Sequence, residues 1–146
     1  MKIQKITPFL WFEKGAEEAA KFYTTVFKNS KIIQSNPMVT ELELEGLTIQ
    51  ILNGGNHFKL DESFSLSISC NTQDEIDYYW NKLTSDGGKE SMCGWLVDKY
   101  GVSWQVVPAI LGKLMSDPQK SGKVMEAFMK MKKFDIQKLE EAAAQT

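Results

Sequence analysis

Two glutamines in matching places are the clearest candidates for chemistry in this chain of 146 residues. Gln50 lies in GLTIQIL, residues 46–52, and Gln105 lies in GVSWQVV, residues 101–107. Each stretch begins with glycine, continues with alternating apolar and polar residues, and has its glutamine in the fifth place. A glutamine amide both donates and accepts hydrogen bonds, so such residues suit a small ligand held by a few polar contacts. The alternative is that the two amides bond to each other or to water.

The other reactive residue types are few and form no recognisable catalytic set. His57, the single histidine, follows Asn53–Asn56 in a predicted loop. One histidine cannot build a chelating cluster, nor serve a Ser-His-Asp or Cys-His arrangement. Cys70 and Cys93 are too few for a disulfide framework, and we expect both to be small buried hydrophobes. Cys93, beside a flexible glycine, and Glu13, after the first predicted strand, remain weak candidates for a catalytic group.

Three glutamates, Glu41, Glu43 and Glu45, alternate with leucines on one predicted strand. Like charges on one face are typical of a solvated surface. An acid–base array would need a partner group with a different pKa. We therefore expect these carboxylates to lie in water.

Composition excludes several classes of partner. The chain has 42% hydrophobic and 25% charged residues, as in an ordinary globular domain. Its 17 basic and 19 acidic residues give a net charge of −2, which provides no broad positive field for nucleic acid or anionic lipid. No apolar run approaches the roughly 20 residues that cross a bilayer, and no signal segment is recognisable. We expect a cytoplasmic protein with no nucleic-acid or membrane partner.

The hydrophobic pattern predicts the same series of elements twice. Lys5–Phe12 and Ser63–Cys70 read as strands, and each precedes a helix with one apolar stripe, Ala16–Lys28 and Gln73–Ser85. The strands that follow are Lys31–Ser35, Val39–Glu45 and Leu47–Leu52 in the first half, and a short strand near Glu90, Trp95–Asp98 and Val102–Val107 in the second.

Each half therefore reads as strand, helix and three strands over about 55 residues. The chain is predicted to be an α+β protein of two βαβββ modules, which must share a core because one module alone would leave a sheet face bare. We expect one domain at residues 1–115, with modules at about 1–56 and 57–115. Residues 116–146 would form a C-terminal helical extension packed on it.

The extension is predicted to begin at Ser116–Pro118, where a capping side chain precedes a proline at the first helical position. Asp135 is expected to cap a second, short helix. The methionine-rich stretch Met115–Met131 would pack over an open end of the sheets, with a partner-binding groove as the alternative. The lysines between Lys120 and Lys133 are expected to form a solvated face.

Several segments resemble the PhnB-like branch of the vicinal oxygen chelate superfamily, which includes glyoxalase I, bleomycin-resistance proteins and extradiol dioxygenases. They are ITPFLWFEKGAEEAAKFYTTVF, LEGLTIQILNGG, CGWLVDKYGVSWQVVP and the tail KVMEAFMKMKKFDIQKLEEA. That branch is often labelled 3-demethylubiquinone-9 3-methyltransferase. The resemblance implies two βαβββ modules that form an incomplete barrel with a central cleft, in a homodimer.

Metal-using relatives in this superfamily hold a divalent ion through four side chains, one near each first strand and one on each final strand. Their terminal pattern, D-P-D-G-x-x-x-E, places its glutamate on Gln105, and the internal repeat makes Gln50 the counterpart. The first-strand positions fall on Thr7 or Phe9 and on Ser65. None of these residues is charged or an imidazole, so they would hold an ion weakly. We expect no metal and no other cofactor.

Period-two alternation assigns one face of each strand to the cleft. The expected ligand-binding residues are Thr7, Phe9, Trp11, Gln50, Ser65, Ser67 and Gln105. Residues of the opposite parity, including Leu47, Phe64 and Trp104, are expected to pack under the helices. A cavity with aromatic walls and neutral polar groups predicts a small, partly apolar organic ligand.

An enzyme of glyoxalase or dioxygenase type, acting as a lyase, dioxygenase or isomerase on a small substrate, is the alternative. A methyltransferase of the nucleotide-binding α/β type would hold its donor at a Gly-rich turn between a strand and a helix. Gly54–Gly55 instead precede a loop, and Gly87–Gly88 follow a helix. The sequence therefore offers no donor site of that kind.

Overall fold

The computed structural model describes residues 4–145, and the chain divides into two compact units between residues 60 and 61. Each unit contains a strand, a helix and three further strands, and its strands form one open four-stranded sheet. The predicted α+β fold of two βαβββ modules is confirmed, with C-terminal helices that belong to the second unit. Among the described residues, no helix has the length and apolar character needed to span a membrane.

In the first unit, the last strand lies inside the sheet. The elements are β1 (Phe9–Phe12), α1 (Ala16–Val26), β2 (Ser30–Ser35), β3 (Val39–Leu44) and β4 (Leu47–Asn53). The sheet order is β1-β4-β3-β2, with β1 parallel to β4 and the other neighbours antiparallel. β4 is therefore hydrogen-bonded along both edges, which fixes its register.

The second unit repeats this arrangement and adds three helices. Its elements are β5 (Leu66–Cys70), α2 (Gln73–Leu83), β6 (Lys89–Glu90), β7 (Trp95–Val97), β8 (Ser103–Pro108), α3 (Ile110–Ser116), α4 (Ser121–Phe128) and α5 (Ile136–Ala144). The sheet order is β5-β8-β7-β6, with β5 parallel to β8. Here β8 is the strand with partners on both edges.

One face of each sheet is covered by the helix of its own unit. The buried residues of the first unit include Ala19, Tyr23 and Val26 of α1 and Leu42, Ile49 and Ile51 of the sheet. Those of the second include Ile76, Trp80 and Leu83 of α2 and Leu96, Trp104 and Val106 of the sheet. Because strand residues alternate between faces, the residues between these buried ones lie on the opposite face of each sheet.

The first strand begins later than predicted, at Phe9. Pro8 has no N–H to donate to a neighbouring strand, although its carbonyl still accepts a hydrogen bond from the Gln50 backbone at 3.0 Å. Before Pro8, the Gln4 side chain makes the hydrogen bonds to the backbone of β4. Its amide donates to the Thr48 carbonyl at 2.8 Å and accepts from the Thr48 N–H at 3.1 Å.

Two residues predicted to pack under the helices are exposed instead. Phe64 precedes β5, which begins at Leu66, and its side chain is 52% exposed. Leu47 is the first residue of β4, after the turn at Glu45–Gly46, and is 40% exposed. The end of a strand has fewer neighbours than its middle, so alternation alone does not bury a residue there. Trp104, the second residue of β8, has paired neighbours on both sides, Leu66 and Leu96, and is buried as predicted.

The predicted helix start at Ser116–Pro118 is wrong, because α3 ends there. Asp117 is the extended C-cap of α3, with φ −91° and ψ 112°, and α4 begins after an intervening turn. The residue before a proline is sterically driven out of the helical region, so Pro118 terminates a helix here instead of starting one. The cap of α5 is confirmed, since the Asp135 side chain accepts a backbone N–H of the first turn.

The turn between β7 and β8 is built around a buried carboxylate. Oδ1 of Asp98 accepts the backbone N–H groups of Tyr100 at 2.8 Å and Val102 at 3.0 Å, and Oδ2 accepts Nε1–H of Trp104 at 2.8 Å. A charge out of water needs such donors to offset its lost hydration. The DKYG motif therefore serves the fold by fixing the approach to β8.

The chain after α4 is joined to the loop before β7. The N–H groups of Cys93 and Gly94 donate to the carbonyls of Met131 and Lys132, each at 2.8 Å. Gly94 has a φ of +82°, and a Cβ there would overlap the Phe134 ring. Only glycine meets both conditions at this point of close approach.

The chain after α4 is also attached to the α2 helix. Nε2 of Gln73 donates to the Phe134 carbonyl at 2.9 Å, and Oε1 of Gln73 accepts the Ile136 N–H at 2.8 Å. Four residues along α2, Asp77 pairs with Lys133 at 2.7 Å, and this hydrogen bond is the main cause that lowers the pKa of Asp77. The C-terminal segment is thus fastened along α2 by one side-chain amide and one ion pair.

Replacing Gly94 with alanine should destabilise the protein far more than the same change at Gly101. Gly101 has a similar φ of +89° but open space around it. Gly101→Ala should therefore lower the free energy of unfolding only by the cost of a positive φ for alanine, about 1 kcal/mol. Gly94→Ala adds the overlap with Phe134 and should cost about 2–4 kcal/mol. Urea unfolding of both variants measures the difference, and equal losses would contradict the close packing at Gly94.

Candidate functional site

The face of the first sheet opposite α1 carries a row of three neighbouring side chains. Gln50 of β4 lies beside Phe9 of β1 on one side and Glu41 of β3 on the other in the strand register. Side chains directly opposite each other on adjacent strands are close enough to interact. Gln50 and Glu41 are half-buried, whereas Phe9 is 53% exposed. The row therefore joins an aromatic surface, an amide and a carboxylate.

The Gln50 amide is held in one orientation. Its Nε2 donates to Oε2 of Glu41 at 2.8 Å. An ionised carboxylate can only accept, so the nitrogen of the amide must face Glu41. Among residues 4–145, Oε1 of Gln50 accepts no hydrogen bond. This carbonyl oxygen is available to a donor on a ligand.

Glu41 and Glu43 are half-buried on the same face as Gln50, although the sequence analysis predicted a solvated surface. They lie opposite Gln50 and Thr48 in the β3–β4 register. The sequence held a signal for this pairing. A two-residue turn at Glu45–Gly46 places Leu44 opposite the first residue of β4, and counting outwards from that pair sets Glu41 opposite Gln50.

Trp11 lies on the same face as Phe9 and packs against the loop that follows β4. Its Nε1 donates to the Gly55 carbonyl at 2.9 Å, and its ring meets Phe58 edge-on with centroids 4.9 Å apart. A Cβ on Gly54 would overlap the indole ring. Trp11 therefore positions this loop, whose His57 is exposed.

The second sheet carries a corresponding row around Gln105. Gln105 of β8 lies beside Ser67 of β5 and Trp95 of β7 in the strand register. Its Nε2 donates to Oγ of Ser65, just before β5, at 3.0 Å. Ser103, two residues earlier on the same face, is buried, and its Oγ has no hydrogen-bond partner among the described residues. The structure thus brings three predicted site residues together and adds Trp95.

A cavity of about 570 Å³ lies next to this row in the second unit. Its lining residues are Glu62, Lys89, Glu90, Ser91, Met92, Cys93, Trp95, Leu96 and Val97. The volume lies within the range usual for small-molecule sites. Trp95 belongs both to the cavity wall and to the row, where it is the register neighbour of Gln105.

The remaining predicted residues of the first unit lie at the ends of β1. Thr7 is half-buried just before the strand. Glu13 is exposed in the turn between β1 and α1, where its carbonyl accepts the Gly55 N–H at 3.2 Å. Neither residue belongs to the row of Phe9, Gln50 and Glu41.

The residues at the positions implied for a metal do not fit a divalent ion. They supply side-chain amides at Gln50 and Gln105 and hydroxyls at Thr7 and Ser65, which offset the dehydration of such an ion poorly. Glu41 adds one carboxylate beside Gln50. Among residues 4–145, no three His, Cys, Asp or Glu side chains form a ligand cluster.

The two cysteines differ in environment. Cys70 at the end of β5 is buried, as predicted, and burial, assisted by the Glu75 carboxylate, raises the pKa of its thiol to about 12. Cys93 is only half-buried and lines the cavity, which differs from the prediction. Its Sγ lies 3.9 Å from Sδ of Met129. A thiol must be both accessible and ionisable to react, so Cys93 is the reactive candidate.

A chromogenic disulfide reagent should therefore modify one thiol in the folded protein and two in denaturant. The folded Cys93→Ser variant should release no chromophore, because Cys70 is neutral and out of reach. The absorbance of the released chromophore, followed over time, gives the number of thiols modified in the folded protein and in denaturant. Two equivalents from the folded protein would show that Cys70 is accessible.

Comparison with known proteins agrees with the fold. The family model for 3-demethylubiquinone-9 3-methyltransferase matches residues 4–107. A PhnB protein of Bacillus cereus, described by the same family name, has 35% sequence identity and a TM-score of 0.66, over 73% of this chain and all of that chain. The comparison with curated proteins gives no match.

More distant structures share the fold alone. The fosfomycin resistance protein FosX of Listeria monocytogenes, in complex with Mn(II) and sulfate, has 14% identity and a TM-score of 0.60, over 80% of this chain and 98% of that chain. A glyoxalase/bleomycin resistance protein of Albidiferax ferrireducens has 13% identity and a TM-score of 0.54, over 70% and 95%. The chain belongs to the PhnB-like 3-demethylubiquinone-9 3-methyltransferase family.

Proposed function

We propose that this protein binds a small, partly apolar organic molecule at the sheet faces that carry Gln50 and Gln105, without a resident divalent metal. The observation that carries the proposal is that each module presents a half-buried amide, already oriented by a neighbour, beside an aromatic side chain. An amide held in place before binding loses little conformational freedom when a ligand arrives, and this favours affinity.

Each amide offers hydrogen bonds to a ligand in its own unit. The Gln50 amide is oriented by a carboxylate and presents its carbonyl oxygen. The Gln105 amide donates from Nε2 to the Ser65 hydroxyl and likewise presents its carbonyl oxygen. The cavity beside Trp95 supplies apolar contact and enough volume for a small organic molecule.

Binding is favoured over methyl transfer because the turns that enter the first two helices lack a donor cradle. β1 leads into α1 through Glu13-Lys14-Gly15, and β5 leads into α2 through Asn71-Thr72. A nucleotide-type donor requires a Gly-rich turn at such a place. Gly54–Gly55 instead pack against Trp11 in a loop after β4.

Exchanging either glutamine for alanine should weaken ligand binding while leaving the fold intact. Each loses one buried hydrogen bond to the ligand, which corresponds to about a fivefold to tenfold loss of affinity. Ligand-observed NMR with a library of small aromatic and heteroaromatic compounds, together with native mass spectrometry of co-purified compounds, provides the measurement.

Gln119→Ala is the matched control, because Gln119 is exposed in the turn before α4. Its compound profile should equal that of the unmodified protein. If Gln50→Ala and Gln105→Ala retain every interaction at full strength, the ligand does not contact the two amides and the proposed site is wrong.

Zinc, nickel and manganese should each dialyse away to well below one equivalent per chain and leave the melting temperature unchanged. The physical reason is the donor set, which offers amide and hydroxyl oxygens with a single carboxylate. Elemental analysis after dialysis and thermal melts measure this, with an EDTA-treated sample as control. Stoichiometric retention together with a raised melting temperature would replace metal-free binding by a metal-dependent activity.

A further inference from the structure

We infer that the site in the first unit selects a ligand with a positively charged, hydrogen-bond-donating group, such as an alkylammonium, attached to an aromatic or alkyl body. This inference rests on the proposed function, because it names the class of ligand for the same sheet face. It depends on the charges and hydrogen-bonding groups of the row Phe9, Gln50 and Glu41.

Glu41 is a half-buried carboxylate with no cation beside it. Its neighbours in the strand register are Gln50 on one side and Gln34 on the other, and both are uncharged. Within residues 4–145, no lysine, arginine or histidine nitrogen lies within 4.0 Å of its oxygens, and its single side-chain hydrogen bond comes from Gln50. A partly desolvated carboxylate without a counter-ion attracts a cation more strongly than an exposed one.

Glu43 adds a second negative charge, which is partly offset. It lies opposite Thr48 on β4 and opposite Lys31 on β2. Lys31 is exposed and does not come within 4.0 Å of it. With two carboxylates and one ammonium group along β2 and β3, this face remains negative near Gln50.

The hydrogen-bonding groups of the row also favour a cationic donor on the ligand. One N–H of Gln50 Nε2 is used by Glu41, so the row offers a ligand two acceptors, Oε1 of Gln50 and the second oxygen of Glu41, and one remaining amide N–H. A carboxylate, sulfonate or phosphonate would meet the like charge of Glu41 and only the one remaining amide N–H of Gln50. An ammonium group would donate to both acceptors, and such charge-assisted bonds are stronger than neutral ones.

Phe9 supplies the third element of recognition. It lies on the other side of Gln50 from Glu41, and over half of its side chain is exposed. The ring of an exposed phenylalanine can contact the apolar body of a ligand, and the face of the ring can attract a cation. Carboxylate, acceptor and ring therefore lie in that order along one line across the sheet.

The test compares three probes that share a phenylmethyl body: benzylammonium, benzyl alcohol and phenylacetate. Dissociation constants are measured by ligand-observed NMR on the full chain at fixed ionic strength. Benzylammonium should bind at least tenfold more tightly than either of the other two. Glu41→Gln keeps an acceptor for Gln50 but removes the charge, and it should abolish this preference.

Two further variants identify the carboxylate that is responsible. Glu17→Gln removes an exposed carboxylate in the first turn of α1 and should retain the tenfold preference. Glu43→Gln should reduce it by less than Glu41→Gln does, because Lys31 offsets that charge. A preference that survives Glu41→Gln, or that Glu17→Gln removes equally, overturns the assignment to Glu41.

The remaining outcomes separate this inference from the proposed function. If benzyl alcohol or phenylacetate binds as tightly as benzylammonium, in a manner that Gln50→Ala weakens, the site binds small molecules but does not select cations, and only the inference fails. If none of the three probes binds, at concentrations up to the solubility limit, both the inference and the small-molecule site fail.

Discussion

Both rows depend on one constraint, which is that the last strand of each module pairs along both edges and is covered by a helix on one face. β4 lies between β1 and β3, and β8 lies between β5 and β7. A slip of one residue in β4 would turn Ile49 and Ile51 away from the core and bury the Gln50 amide against hydrocarbon. Exposing each isoleucine would cost about 1.5–3 kcal/mol, before the cost of the unpaired amide is added. The core therefore fixes the positions of the polar groups on the opposite face.

The same constraint allows the two copies of the module to differ in chemistry without differing in fold. In the first unit the aromatic neighbour of the central glutamine comes from the parallel strand, as Phe9, and the polar neighbour from the antiparallel strand, as Glu41. In the second unit the parallel strand supplies Ser67 and the antiparallel strand supplies Trp95. The first row therefore contains an acid and the second does not, so the duplication yields two surfaces of different chemistry.

The sequence predicts what local periodicity determines and misses what depends on pairing or on chain ends. The two modules, their element order and the position of both glutamines on the face away from the buried strand residues follow from alternation within single segments. Glu41 was assigned to solvent because the alternation of β3 shows which residues share a face, but not which face the helix covers or which residue lies opposite. The exposure of Leu47 and Phe64 depends on where the strands begin, and the early end of α3 follows from Pro118 acting on the residue before it.

The C-terminal helices extend this argument beyond the region that the family model matches, which ends at residue 107. The N–H groups of Cys93 and Gly94 donate to the carbonyls of Met131 and Lys132, and Cys93 forms part of the cavity wall beside Trp95. Cys93 has a positive φ of 58°, which is unfavourable for a residue with a side chain and is held here by those bonds. The tail thus shapes the cavity from outside the duplicated modules. A change in the tail would therefore alter this cavity without changing the residues of either row.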